Sequence, residues 1–171
     1  MGSGHNEAKF KAAILSRSTS NDWDEAKAEW KLYTVYNDPA DRFCECDHSP
    51  IHQICVILNT KNGQKTDVGN VCVRRFLRLL SNRIFSVIKR IRADISKSLN
   101  PKALELFKER GLISHQEEQE YLTYWRKRKN MTEYQRSQKL TINARIIEFL
   151  DEEASRLIAM ARAHGLKVQQ T

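Results

Sequence analysis

The chain has 171 residues, 40% of them hydrophobic, which suits one domain of ordinary size or a small core with helical extensions, and can bury a sizeable apolar interior. Lys and Arg number 29 against 21 Asp and Glu, a formal net charge of +8 that favours an anionic partner, either nucleic acid or an acidic protein surface. No apolar run approaches the roughly 18 residues of a membrane span and no hydrophobic signal core follows Met1, so the expectation is a cytoplasmic protein without a membrane partner.

Met1–His5 reads as appended residues with no functional content. From Asn6 to Arg17, the spacing of Phe10, Ala13, Ile14 and Arg17 predicts a short amphipathic helix, broken by Ser18–Asn21. Ser20 or Asn21 can cap a second helix, from about Asp22 to Tyr33, whose acidic first turn suits the helix dipole. Trp23, Ala26 and Trp30 share one side of it and read as core anchors. Asn37–Asp41 reads as a turn. Gln53–Leu58 is rich in β-branched residues, Thr60–Gln64 with Asn62-Gly63 is a hairpin signal that calls for positive φ, and Gln64–Val68 is the returning strand. Gly69-Asn70 then ends the sheet and caps a helix beginning near Val71.

The remainder is expected to be helical. Ser81-Asn82 separates Val71–Leu80 from Arg83–Ala93, and Asn100 with Pro101 starts a helix that Gly111 ends. Ser114 with Glu117 and Thr132 with Gln135 form capping boxes, and a last helix runs from Glu133 to His164, stopping at Gly165. The fold class is therefore mainly α with a small zinc-bound β-hairpin module, an α+β protein. Its expected divisions are residues 1–21 (helix and linker), 22–95 (zinc-hairpin module with flanking helices) and 96–171 (helical region).

All four cysteines, Cys44, Cys46, Cys55 and Cys72, fall in one short stretch that also holds His48 and His52. In a reducing compartment such a cluster reads as zinc ligands rather than disulfides. Cys44 and Cys46 supply a tight turn, and Cys72 follows the capping Asn70, where helix-terminal N–H groups favour a thiolate. The fourth ligand is Cys55, with His48 and His52 as alternatives. The order of turn, hairpin and helix resembles a treble-clef zinc finger. It departs from that pattern in having Cys-x-Cys for Cys-x-x-Cys, and Arg75 where a second helical ligand is expected. An all-thiolate shell leaves no open position for catalytic water. A Cys-His nucleophile lacks an oxyanion loop, no phosphate-binding glycine loop or Ser-His-Asp set stands out, and Glu152 and Glu153 read as a solvated acidic run, so no enzymatic activity is expected.

Between Asn70 and Ala93 stand Arg74, Arg75, Arg78, Arg83, Lys89, Arg90 and Arg92 with no acidic residue. Arg74, Arg75 and Arg78 are expected on the outward face of the helix after the metal ligand, with Phe76, Leu77, Leu79 and Leu80 turned inward. Such a face suits phosphate contacts, the alternative being a plain solvated surface. A second cluster runs Tyr124-Trp125-Arg126-Lys127-Arg128-Lys129. It suits stacking with unpaired bases, or else Tyr121, Leu122 and Trp125 pack inward while the cations complement a helix C-terminus.

Glu29-Trp30, Cys44-x-Cys46 with Pro50-Ile51, Ile57-x-Asn59, Asn62-Gly63 and Val68-Gly69-Asn70-x-Cys72-Val73-x-Arg75-Phe76 together form a pattern. It continues in Ile84-Phe85, Lys97-Ser-Leu-Asn100, Tyr121-Leu122-x-x-Trp125-Arg126-Lys127-Arg128 and Ile142-Asn143. Over residues 25–148 it resembles a family of small bacterial and phage proteins with no assigned activity. Asp47 stands where that pattern has glycine. The portion around Met131-Thr132-x-x-Gln135 is similar to a helical element of phage replication and recombination proteins, which implies nucleic acid as partner and no catalytic residues. Beyond it, Ile147, Leu150, Ala154, Leu157 and Ala161 recur at spacings of three and four, a stripe that can pair two chains as a homodimer or pack back on its own domain.

Overall fold

In the computed structural model of the protein, residues 3–165 are described; Met1, Gly2 and residues 166–171 lie outside the described residues. Asp22 caps the second helix, accepting the N–H groups of Asp24 and Glu25 at 3.0 Å each. The elements are α1 (Ser3–Leu15), α2 (Trp23–Ala28), β1 (Trp30–Arg42), β2 (Ile51–Asn59), β3 (Lys65–Gly69), α3 (Asn70–Phe76), α4 (Ser81–Ala93), α5 (Pro101–Glu109), α6 (His115–Tyr124) and α7 (Glu133–Ala163). The three strands form an antiparallel sheet in the order β1-β2-β3, giving an α+β protein. No helix among the described residues is long and apolar enough to cross a membrane.

The expected helix from Asp22 to Tyr33 stops at Ala28, and Trp30 opens a long strand instead. The run Leu32-Tyr33-Thr34-Val35-Tyr36 is β-branched and aromatic, and pairing with β2, from Trp30 opposite Asn59 to Arg42 opposite Ile51, overrides the local helical pattern. The expected turn at Asn37–Asp41 is an irregularity inside this strand, between Asn37 and Arg42. The buried Arg42 guanidinium closes it, pairing with Asp38 and Asp67 at 3.0 Å each. The hairpin forms as expected, with Leu58 opposite Lys65, but only Gly63 takes positive φ (76°). Asn59 Oδ1 accepts the N–H groups of Lys61 and Asn62, so the connection is a longer, side-chain-tied loop rather than a two-residue turn.

The chain divides into two compact units, one of the described residues up to Ser81 with those from Arg156, the other of Asn82–Ser155; residues 21 and 95, the expected boundaries, each lie inside a unit. In the first, Phe10 and Ile14 of α1 are fully buried, and Phe10 meets Phe76 of α3 with ring centroids 5.1 Å apart. Ile54, Val56, Ile57 and Val68 of the sheet complete the core.

Buried Glu29 ties this unit together through polar contacts. Its carboxylate accepts the Thr19 and Ser20 N–H groups and the Asn59 side-chain amide, while its carbonyl accepts the Thr60 N–H at 2.7 Å. Burial pushes its pKa up, but these donors, Thr19 foremost, outweigh that and hold it at about 2 against the ordinary 4.5. A carboxyl depressed on folding contributes stability above its unfolded pKa and loses it as pH falls towards the folded value. The protein is therefore expected to lose stability from about pH 4.5 towards 2, and Glu29→Gln to show a shallower acid limb in urea melts across that range.

The second unit follows the local signals closely. Asn100 caps α5 through the Ala103 N–H with Pro101 at the first helical position, and Gly111 ends the segment at φ 75°. Ser114 and Glu117 cap α6 reciprocally at 3.1 and 2.8 Å, and Thr132 and Gln135 do the same for α7 at 3.1 Å. Fully buried Asn143 of α7 donates to the carbonyls of Ile95 and Lys97 at 2.7 Å each, while its Oδ1 accepts the Tyr121 hydroxyl at 3.0 Å. Tyr121 in turn accepts the Leu99 N–H at 3.0 Å, so residues 95–99 are fixed to α6 and α7.

Two further expectations need correction. Glu153 is not solvated: it is buried and paired with Arg110 at 2.6 Å, while Glu152 is exposed. Helix α3 ends at Phe76, and Leu80 is 41% exposed rather than turned inward. In the α7 stripe, Leu150 and Ala161 are buried and Ile147, Ala154 and Leu157 half-buried within the chain.

Candidate metal centre and basic cavity

The turn after β1, the end of β3 and the first turn of α3 bring Cys44, Cys46 and Cys72 together. Their sulfurs lie within 4.8 Å of one another, all three residues are buried, and Cys72 Sγ is 3.3 Å from Cys46 Sγ with no disulfide formed. Tetrahedral zinc with Zn–S near 2.3 Å places its sulfurs about 3.8 Å apart, so the three donors fit a metal ion in number, type and spacing.

The knuckle is built by the backbone. The Cys44 N–H donates to the His48 carbonyl and the Asp47 N–H to the Cys44 carbonyl, both at 2.9 Å. Asp47 takes φ 63°, the left-handed conformation that glycine favours and aspartate tolerates, and its carboxylate pairs with Lys9. N–H groups of Cys46 and of Gly69, the latter at 3.2 Å, aim at Cys44 Sγ, and that of His48 aims at Cys46 Sγ. Hydrogen bonding from Cys72 and these N–H donors lower the Cys44 thiol to about 6, whereas burial raises Cys46 and the Cys44 sulfur beside it raises Cys72. Three adjacent thiolates repel one another, and a divalent cation relieves that repulsion. Gly69 packs against the site: an added Cβ would meet Ile51 at 3.4 Å and Cys44 Sγ at 3.6 Å, ordinary van der Waals contact.

Cys55 does not join the cluster. On β2 it faces Val35 and Val68, is fully buried, and burial pushes its thiol up to about 12, the behaviour of a small hydrophobe. Its absence removes the all-thiolate shell and leaves the fourth position to a histidine or an outside ligand. A cavity of about 480 Å³ opens onto the thiols, lined also by His48, His52 and Gln53. The His52 ring is engaged elsewhere, Nδ1 at 3.1 Å from the Asp38 carbonyl and Nε2 at 3.5 Å from Asp41. The His48 ring makes no hydrogen bond among the described residues, although it lies outside the 4.8 Å grouping. Asn70, expected as the helix cap, is the first residue of α3; Gly69 takes the cap position, and Asn70 bonds Gln53 and Ser81 through its side chain.

The arginine-rich stretch after Cys72 is not one helical face. Arg74 and Arg75 are exposed on α3, but Arg78 follows that helix at φ 60°. Arg83, Lys89, Arg90 and Arg92 belong to α4 of the other unit, where Arg92 pairs with Asp151 at 2.7 Å.

Within that second unit a cavity of about 790 Å³ gathers Arg90, Lys97, Arg126, Lys127, Arg128, Arg136 and Lys139 around Trp125, with no carboxylate in its lining. Helix α6 ends at Tyr124, and the chain then turns so that Arg126–Lys129 are exposed. Of the residues expected to pack inward, Tyr121 is buried, as is Tyr124, while Leu122 and Trp125 are half-exposed, which leaves part of the tryptophan ring at the surface beside the cations. Lys129 is exposed but does not line the cavity. Sequence spacing missed Lys97, Arg136 and Lys139, which come from a loop and from α7, far along the chain from Trp125. No protein-family model, curated protein or solved structure matches the chain.

Proposed function

We propose that the chain is a cytoplasmic, non-catalytic nucleic-acid-binding protein, of the bacterial or phage kind its sequence pattern resembles. In this reading zinc, held by Cys44, Cys46 and Cys72 with His48 as fourth ligand, orders a treble-clef-like hairpin module. Thiolate donors at this spacing suit zinc, and imidazole is its usual companion ligand. The observation that carries the partner assignment is the acid-free lining of the cavity: cations from α4, the 95–99 loop, the 126–128 segment and α7 surround one aromatic ring. Cations position a phosphate backbone and the ring offers a sequence-tolerant stacking surface. Exposed Arg74 and Arg75, just beyond Cys72, supply a second contact.

A gel-shift titration against duplex and single-stranded DNA and RNA tests the reading. Binding at low salt is expected, with Arg126→Glu/Lys127→Glu/Arg128→Glu weakening it by at least about tenfold, since each of the phosphate contacts it replaces becomes repulsive. No binding at low salt, or binding indifferent to that reversal, contradicts it. Capture of an acidic protein from nuclease-treated lysate by a protein that binds no oligonucleotide would transfer the basic surface to a protein partner.

A further inference from the structure

Most cations around the 790 Å³ cavity already have a local use. Arg90 donates to the Ser98 carbonyl and Arg136 to the Met131 carbonyl, both at 2.6 Å, Lys97 pairs with Asp94 at 3.4 Å, and Arg126 lies 4.8 Å from the Trp125 ring centroid. Lys139 differs. It is only 5% exposed, it lines the cavity from α7, and among the described residues it has neither a hydrogen bond nor an ion pair. Burial, and after it the nearby charge of Lys97, lowers its pKa; Asp94 opposes this more weakly. The stem of Lys139 is covered and its ammonium meets water only at the cavity, so it gives up part of its hydration and gains a partner when an anion enters beside it. Arg136 stands one turn before it on the same helix, and Asn143 holds the Lys97 backbone while Tyr121 holds that of Leu99, so the segment carrying Lys97 is placed beside Lys139 before any ligand arrives.

We infer that this floor is a phosphate-binding site, with Lys139 as its anchoring cation and the phosphate supplied by an unpaired nucleic-acid strand whose base lies against Trp125. The choice of a strand rests on the function proposed above; the phosphate site does not. A volume of about 790 Å³ is within the ordinary range of small-ligand pockets, about 300–1,000 Å³, and admits one nucleotide where a duplex cannot enter.

Two measurements on the full chain test it: thermal unfolding with and without inorganic pyrophosphate, and anisotropy titration of a labelled single-stranded oligonucleotide and its duplex. Native protein is expected to gain thermal stability with pyrophosphate by mass action and to prefer the single strand. Lys139→Met, cooperative in its melt and at least as stable as the native protein without ligand, should lose the pyrophosphate response and bind the single strand about tenfold more weakly, as expected for a lost charge-assisted contact. Lys139→Arg should retain both. An unchanged strand affinity and no pyrophosphate effect in Lys139→Met and native protein alike overturn the site, even if the protein binds nucleic acid elsewhere. A Lys139-dependent pyrophosphate effect with no oligonucleotide binding keeps the phosphate site, assigns it to a free phosphate compound, and overturns the strand and the proposed function together.

Discussion

Cys72→Ser is expected to strip the metal from the protein and to unfold the hairpin module selectively. Structural zinc sites bind with about 10–16 kcal/mol, so each of four ligands carries roughly 3 kcal/mol, or at least about a hundredfold in affinity. The loss should concentrate where the thiols tie elements together: the knuckle at Cys44–His48, the end of β3 at Gly69 and the first turn of α3. Metal analysis of the purified protein should return one zinc per native chain and substantially less for Cys44→Ser, Cys46→Ser and Cys72→Ser. Cys55→Ser should keep the metal, because Cys55 lies between Val35 and Val68 in the sheet and not among the clustered sulfurs. His48→Ala should weaken zinc and His52→Ala should not, the His52 ring already being placed by Asp38 and Asp41. Full zinc retention by Cys72→Ser would remove the metal site from the account.

The second large effect belongs to Asn143. Replacing it with alanine leaves the carbonyls of Ile95 and Lys97 and the Tyr121 hydroxyl short of a partner. Loss of partners to buried or half-buried polar groups costs about 1–3 kcal/mol each, so a combined loss of roughly 3 kcal/mol is expected in urea denaturation. Asn143→Asp, equal in size, should be worse, since it turns an acceptor towards two carbonyls. Both variants should weaken oligonucleotide binding under conditions where they remain folded, because Lys97 and Ser98 line the cavity on the loop that Asn143 holds. A change below about 1 kcal/mol in the alanine variant would show that the loop is held by other means.

What the sequence disclosed was mainly local chemistry. The caps at Asn100, Ser114 and Thr132 are each decided within a turn of chain, and all form. The hairpin was legible because short-range geometry sets it, and the meeting of Cys46 with Cys72, 26 residues apart, because thiols gathered in one stretch signal a shared ligand set. Even Asp47, standing where the resembled pattern has glycine, takes the left-handed φ that glycine would take. The failures come from partners distant in sequence. Trp30–Tyr33 has helical spacing and becomes strand because β2 is available to pair with it. Cys55 has the right residue type, but its strand position directs it into the core. The cavity assembles residues from Arg90 to Leu140, a gathering that no window of spacing can reveal. Several residues quoted for the resemblance, Glu29, Asn59, Tyr121 and Asn143, are polar groups hydrogen-bonded in the interior, which makes them structural pins rather than chemistry-bearing groups.

The most direct test of the account is the salt dependence of single-strand binding by the zinc-loaded native protein, measured by anisotropy between about 50 and 200 mM salt. Each phosphate neutralised on a single strand contributes a slope of about −0.7 in log K against log salt, so the cavity's cations predict roughly −2 to −3.5 for three to five contacts. Arg126→Gln/Lys127→Gln/Arg128→Gln should flatten that slope by about 2. A slope near zero, or one that the triple variant leaves unchanged, would contradict nucleic-acid binding through this cavity.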